Sequence, residues 1–223
     1  IAGDLTVADA KRENFNFGAP LDMMNISVGY DDAFLQENTY KQDVFLDNCR
    51  QAMMTGEPGF SMNFGDQQNE TLRNACCEIV SEDDSDVCNL SSINLAEIED
   101  LEELRDVTSL VTKFLMCGLR RAELPYQKVY DVRQRNSRLG LGLMGMHEFL
   151  LKRGSKYEVT DELKTWLSTW QKVSDKVAKD TANEWHMVNP RGVRAIAPTG
   201  TISILAGTTS GIEPVYSVAF KRR

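Results

Sequence analysis

Residues 74–95 decide how the chain reads: Asn74-Ala75-Cys76-Cys77-Glu78-Ile79-Val80, an acidic run, then Val87-Cys88-Asn89-Leu90-Ser91-Ser92-Ile93-Asn94-Leu95. Three of the five cysteines lie in it. Cys76 and Glu78 flank Cys77, so in an extended segment or a tight loop tip both side chains leave the same side of the backbone. A sulfur able to do nucleophilic or one-electron chemistry would then share a small volume with a proton acceptor, and Asn74, two residues earlier, can donate and accept hydrogen bonds. Cys88 is a candidate redox partner. The plainer reading treats each cysteine as a small, inert, buried hydrophobe. Zinc is a weaker competitor, because the C-C-x10-C spacing is not CxxC and the two histidines, His147 and His186, are distant in sequence.

These residues resemble the active-site loop of the large, catalytic chain of ribonucleotide reductase, whose pattern is Asn-Pro-Cys-x-Glu followed by Cys-Asn-Leu-x-Ser-x-Asn-Leu. The resemblance implies that Cys76 is the thiyl-radical cysteine, Glu78 the acid/base group, Asn74 a substrate-orienting amide and Cys88 one of two reducing cysteines. There are two departures. Ala75 replaces a proline that would pre-set φ, which loosens the loop, and Cys77 adds a thiol able to intercept a disulfide.

Outward from this stretch, 223 residues at 42% hydrophobic composition suffice for one sizeable core. The start at Ile1 without methionine, and the stop at Arg223 directly after an apolar run, read as a piece of a larger protein. A net charge of −8 argues against a nucleic-acid or anionic-membrane footprint, leaving room for a local phosphate pocket. No leader or membrane-length apolar run appears. The odd number of cysteines is unlike a disulfide framework and suggests a reducing, cytoplasmic setting.

Residues 4–14 read as a charged helix and residues 23–28 as a strand. A helix is expected over residues 43–55, with Val44, Phe45, Ala52 and Met53 as its buried stripe and Cys49 as a core or groove thiol. It should stop at Gly56-Glu57-Pro58-Gly59. Leu104, Val107, Leu110, Val111, Phe114 and Leu115 fall at helical spacing, with Cys117 in the core and Arg120 and Arg121 at the negative helix end. Gly140-Leu141-Gly142-Leu143-Met144-Gly145 matches GxGxxG formally. Without a preceding buried strand it reads as a glycine-packed helix rather than a dinucleotide site. Thr160 should cap a helix whose core side carries Leu163, Trp166, Leu167, Trp170, Val173 and Val177. His147 and His186 sit in helical patterns and receive no catalytic role.

In residues 193–203 a short strand runs into Pro198-Thr199-Gly200-Thr201 and then Ile202 and Ser203 at a helix start. Free backbone N–H groups and three hydroxyls aimed at one point would suit a phosphate; an ordinary capped turn is the plainer reading. With Gly211-Ile212-Glu213-Pro214, this stretch resembles the reductase segment that cradles the substrate diphosphate.

Taken over residues 25–223, the resemblance implies an α/β fold, a single fragment (1–223) of a ten-stranded α/β barrel with the catalytic cysteine on a central loop. It implies reduction of ribonucleoside di- or triphosphates to 2′-deoxyribonucleotides, with a thioredoxin- or glutaredoxin-type reductant and compatibility with a homodimer. The wording around Glu78 and Ala197 is similar to the adenosylcobalamin-dependent class; the alternative radical source is a metal-containing partner subunit. Two other readings stay open, a non-catalytic barrel remnant and a thiol-disulfide oxidoreductase.

Overall fold

The computed structural model describes residues 25–36, 43–67, 69–70, 72–217 and 219, and these form an α/β structure. Two compact units divide the chain, residues 1–75 and 76–223. The helix expected over residues 4–14 lies outside the described residues, as does the start of the strand expected at 23–28.

In the first unit, strand β1 (Ser27–Asp31) leads into the short helix α1 (Asp32–Gln36), and α2 (Asp43–Thr55) returns the chain to β2 (Gly59–Asn63). β2 runs parallel to β1 with Ser27 opposite Gly59. A parallel pair needs such a crossover, and α2 supplies it. A short strand, β3 (Leu72–Arg73), follows. The bounds of α2 and its glycine stop agree with expectation: Gly56 has φ +84° and its N–H donates to Ala52 O at 2.9 Å. The buried stripe agrees in Phe45 and Ala52 and fails in Val44 and Met53. Val44 and Met53 are 59% and 87% exposed, while Phe45, Asn48, Cys49 and Ala52 face inward. The polar Asn48 disguised this i, i+3, i+4, i+7 face. It is buried because it accepts from Tyr30 Oη at 2.8 Å and donates to Pro58 O at 2.9 Å, satisfying both ends of the amide.

In the second unit, a two-residue strand β4 (Val80–Ser81) precedes β5 (Asn89–Asn94). α3 (Leu101–Arg121) and α4 (Gln127–Asn136) carry the chain across to β6 (Leu139–Met144), parallel to β5 with Asn89 opposite Leu139. Arg194 continues the ladder on the far side of β6 through a bridge to Leu141. Asp100 caps α3, accepting from Glu102 N at 2.8 Å and Glu103 N at 2.9 Å, and Arg120 and Arg121 close its last turn, as the helix dipole favours. Helix α5 (Met146–Lys152) follows β6, and α6 (Asp161–Glu184) opens on the expected cap, with Thr160 Oγ1 accepting from Leu163 N at 3.1 Å. Leu104, Leu115, Leu119, Leu141, Leu143, Phe149 and Trp166 form the core between the ladder and these helices. Val173 and Val177 are half-buried on the same side of α6.

Three expectations fail here. The glycine-rich segment is the fully buried strand β6, not a helix. Glycine carries no side-chain period, so residues 139–144 read equally as strand or helix until a neighbour is specified. Leu110 and Phe114 are 70% and 71% exposed, and Cys117 is exposed as well. They share one stripe of α3 that turns away from the core, while Thr108 and Thr112 occupy core positions instead. Finally, His186 lies beyond the end of α6 with φ +53°, not in a helix. Among the described residues the two parallel ladders do not close into a barrel, and no helix is long and apolar enough to cross a membrane.

Candidate active site

Cys76, Cys77 and Glu78 stand on a turn, with Cys77 in the left-handed region at φ +63°. A non-glycine residue there is uncommon and marks a tight tip rather than an extended strand. Both thiols are exposed, and Asn74, just before the turn, is half-buried. Glu78 differs. Its Oε2 is buried with no hydrogen-bond partner among the described residues. An orphaned carboxylate oxygen is costly unless a polar ligand group meets it, which suits an acceptor waiting for a hydroxyl.

The acidic run is a clamp. Asp86 Oδ2 accepts from Ser81 Oγ at 2.8 Å, Asn136 Nδ2 at 2.9 Å and Arg138 Nε at 3.0 Å. Asp83 takes Arg135 at 2.5 Å and Asn136 at 2.8 Å, and these bonds, the Asn136 amide first, hold its carboxyl below the usual range. Lys128 pairs with Asp84 at 2.7 Å and Arg191 with Glu82 at 3.0 Å. The run is therefore fastened to α4 and the segment before β6, which fixes where Cys88 emerges.

Cys88 lies immediately before β5. Burial pushes its thiol up to about 12, helped by the negative charges of Asp86 and Glu78 and opposed by Arg138. The charge of Glu78 thus reaches the Cys88 thiol. Along the strand, Cys88, Leu90 and Ser92 share one face, and the facing positions of β6 are Gly140 and Gly142. A Cβ on Gly140 would sit 2.9 Å from Cys88 Sγ and closer still to Leu90, and one on Gly142 would sit 2.6 Å from Ala195 O and 3.1 Å from Ser92 Oγ. Real Cβ atoms do not approach so closely, so the two glycines form a floor on which these side chains lie. The opposite face, with Leu139, Leu141, Leu143 and Ile93, packs into the core.

A cavity of about 210 Å³ joins the two stretches singled out in the sequence: residues 90–92 line one side, and Ala197 with residues 199–202 line the other. Pro198 and Ser203 flank it. The turn leads into the short helix α7 (Gly200–Ala206). The expectation of three converging hydroxyls is corrected. Thr199, at φ +56°, accepts from Gly211 N at 2.7 Å, and Ser203 contacts Ser210 Oγ at 2.8 Å and Gly200 O at 3.3 Å. Both hydroxyls brace the turn against residues 210–211, as the burial of Thr199 and Ser203 requires. Thr201 stays exposed. The same bonds join the turn to Gly211, tying together two segments that the sequence placed in one motif. His147 Nδ1 accepts from Val215 N at 2.7 Å, a structural role. Among the described residues no group of three or more His, Cys, Asp or Glu side chains could hold a metal ion.

Residues 31–167 and 160–223 match the family model described as ribonucleotide reductase, barrel domain. The chain belongs to this family. It is 30% identical over 223 residues to a putative adenosylcobalamin-dependent ribonucleoside-triphosphate reductase of Mycobacterium phage D29, covering 89% of this chain and 32% of that protein. It is also 30% identical over 157 residues to the vitamin B12-dependent ribonucleoside-diphosphate reductase of Mycobacterium tuberculosis (strain CDC 1551 / Oshkosh), covering 60% of this chain and 23% of that one. This ribonucleotide reductase barrel segment thus spans a third or less of the length of these relatives. Among solved structures, its fold is similar to the class Id ribonucleotide reductase alpha subunit of Actinobacillus ureae, with TM-score 0.68 at 21% identity over 93% of this chain and 46% of that one. It is similar too to a B-12 dependent (class II) ribonucleotide reductase, with TM-score 0.63 at 18% identity over 84% of this chain and 30% of that one.

Sequence reasoning missed Asp86, Asn136 and Arg138 as the residues that seat Cys88. The one signal was the density of acids before Cys88 and of bases before Gly140, which reads as solvated charge until the two runs are known to touch.

Proposed function

We propose that the whole protein carrying this chain reduces ribonucleoside di- or triphosphates to 2′-deoxyribonucleotides, supplying DNA precursors. The family match supports a fragment of a ten-stranded α/β barrel, with the turn of Cys76 as its central loop. Support comes chiefly from the cavity shared by β5, which Cys88 leads into, and by the turn at 198–203. Its strand wall, Leu90 to Ser92, begins two residues beyond the redox thiol Cys88 and faces a phosphate-sized cradle, which a simple thiol-disulfide oxidoreductase would not need.

In this reading Cys76, exposed on its turn, takes up the radical and abstracts the 3′ hydrogen of the ribose. Glu78 accepts the 3′-hydroxyl proton through its unpartnered carboxylate oxygen as the 2′-hydroxyl, protonated by the dithiol that contains Cys88, leaves as water, with Asn74 orienting the sugar. Cys88 supplies reducing equivalents with a second thiol of the whole protein, the two closing to a disulfide as their electrons pass to the sugar. Within the segment 198–203, the backbone N–H groups of residues 199–202 hold the diphosphate.

The names of the bacterial and phage relatives point to adenosylcobalamin. When bound, that group supplies the radical initiator. No residue of this chain is assigned to the corrin ring. A dithiol protein of the thioredoxin or glutaredoxin kind would regenerate the thiols in the cytoplasm, and a homodimer is compatible with the reading. The test is nucleotide reduction by the full-length protein with and without adenosylcobalamin, using dithiothreitol as reductant. Activity is expected only with the cofactor. Activity that instead requires a second, metal-containing subunit overturns the cofactor assignment, and no reduction under either condition overturns the function.

A further inference from the structure

We propose that Ser92 is a substrate-contacting residue whose hydroxyl donates to the phosphate chain of the bound nucleotide from the strand side of the cavity. The proposal rests on the reading of residues 198–203 as the phosphate cradle and adds a second wall to it.

Two of the hydroxyls on the turn are spent internally, Thr199 on Gly211 N and Ser203 on Ser210 and Gly200. Both of these are buried, which leaves Thr201 as the exposed hydroxyl of the turn. Across the same cavity stand Ser91 and Ser92. Neither hydroxyl has a hydrogen-bond partner among the described residues, although both residues are half-buried. Half-buried hydroxyls with spare donors, opposite a run of backbone N–H groups, suit an acceptor-rich guest, and phosphate oxygens are acceptors only.

Strand geometry selects Ser92 over Ser91. Ser92 is on the face of β5 that carries Cys88 and Leu90 and lies over Gly142, whereas Ser91 alternates to the face of the buried Ile93. A rise of about 3.3 Å per residue puts Ser92 roughly 13 Å along the strand from Cys88. A nucleotide laid along that face spans the interval, its ribose toward the thiol end and its phosphates at Ser92.

The experiment measures equilibrium binding of ADP, CDP and their triphosphates, and of inorganic pyrophosphate, to the full-length protein in three variants: Ser92→Ala, Ser91→Ala and Gly200→Val. Gly200 lines the cavity with open space beside its Cα, so valine there tests the cradle itself. Loss of a hydrogen bond to a charged group predicts roughly tenfold weaker binding of nucleotide and pyrophosphate in Ser92→Ala, with adenosine and cytidine affinities unchanged and Ser91→Ala like the parent. Circular dichroism and the alkylation rate of Cys88 should match the parent in Ser92→Ala, which separates lost contact from lost fold. If Gly200→Val weakens binding and Ser92→Ala does not, the Ser92 assignment is overturned while the cradle stands. If neither variant changes affinity, the cradle reading falls and Ser92 falls with it. Equal weakening of nucleosides and nucleotides in Ser92→Ala also overturns the phosphate contact.

Discussion

Arg138 Nε lies 3.0 Å from Asp86 Oδ2, with the Arg138 side chain 14% exposed and that of Asp86 only 1%. This ion pair binds the acidic run before β5 to the residue just before β6, so the position of Cys88 depends on a contact between segments 52 residues apart. Buried pairs contribute modestly as pairs, but removing one partner leaves the other charged and dry. Asp86→Asn should therefore destabilise the full-length protein by about 3–5 kcal/mol, measured by urea unfolding. Cys88 should also alkylate faster in the variant, because its anchor is loosened. Unchanged stability and unchanged thiol reactivity would together refute the clamp.

The raised pKa of Cys88 gives a pH signature. Its thiol titrates near 9 when unfolded and near 12 when folded. The contribution of the buried thiol is fully present below pH 9 and is lost as pH rises from 9 toward 12, since only the unfolded chain ionises in that window. Iodoacetamide labelling, read peptide by peptide by mass spectrometry, should show Cys88 reacting far more slowly than exposed Cys76 and Cys77 at pH 8. A labelling midpoint for Cys88 at or below 9 would contradict the burial argument.

Gly140→Ala tests the glycine floor. The added methyl meets Cys88 Sγ at 2.9 Å and presses on Leu90, so overpacking should cost about 1–3 kcal/mol. Thermal unfolding and multiple-turnover reduction should both decline. Parental stability together with parental turnover would mean that the strands can separate at no cost.

Cys76→Ser should reduce turnover by roughly 10³-fold or more with nucleotide affinity retained, because an O–H bond is too strong to replace the thiol in radical transfer. Glu78→Gln keeps the shape but removes the proton acceptor, and should slow the chemical step by roughly 10²- to 10⁴-fold. Steady-state kinetics and equilibrium binding separate the two effects. A Glu78→Gln protein that loses affinity but not rate would make the buried carboxylate a binding group.

Much of the chain was legible from sequence because the relevant physics is local. The cap at Thr160, the stop at Gly56 and the dipole-matched Arg120 and Arg121 are decided by residues within a turn or two of each other, and all three appear as expected. The groups that carry the candidate chemistry, Cys76, Glu78, Cys88 and the turn at 198–203, were also named from sequence, since residue type fixes what a side chain can donate, accept or ionise. Other features needed the fold. Residues 139–144 became a strand because Gly140 and Gly142 are pressed by Cys88, Leu90, Ser92 and Ala195, and glycine reports nothing about itself until a neighbour closes on it. Thr199 and Ser203 turned inward because residues 210–211 offered them partners. The clamp on Asp86 and the cavity that pairs β5 with a turn a hundred residues later are likewise long-range contacts. Sequence alone set the chemistry each residue can perform; tertiary structure decided which of those groups meet, because burial and hydrogen-bond satisfaction depend on what lies across the fold rather than along the chain.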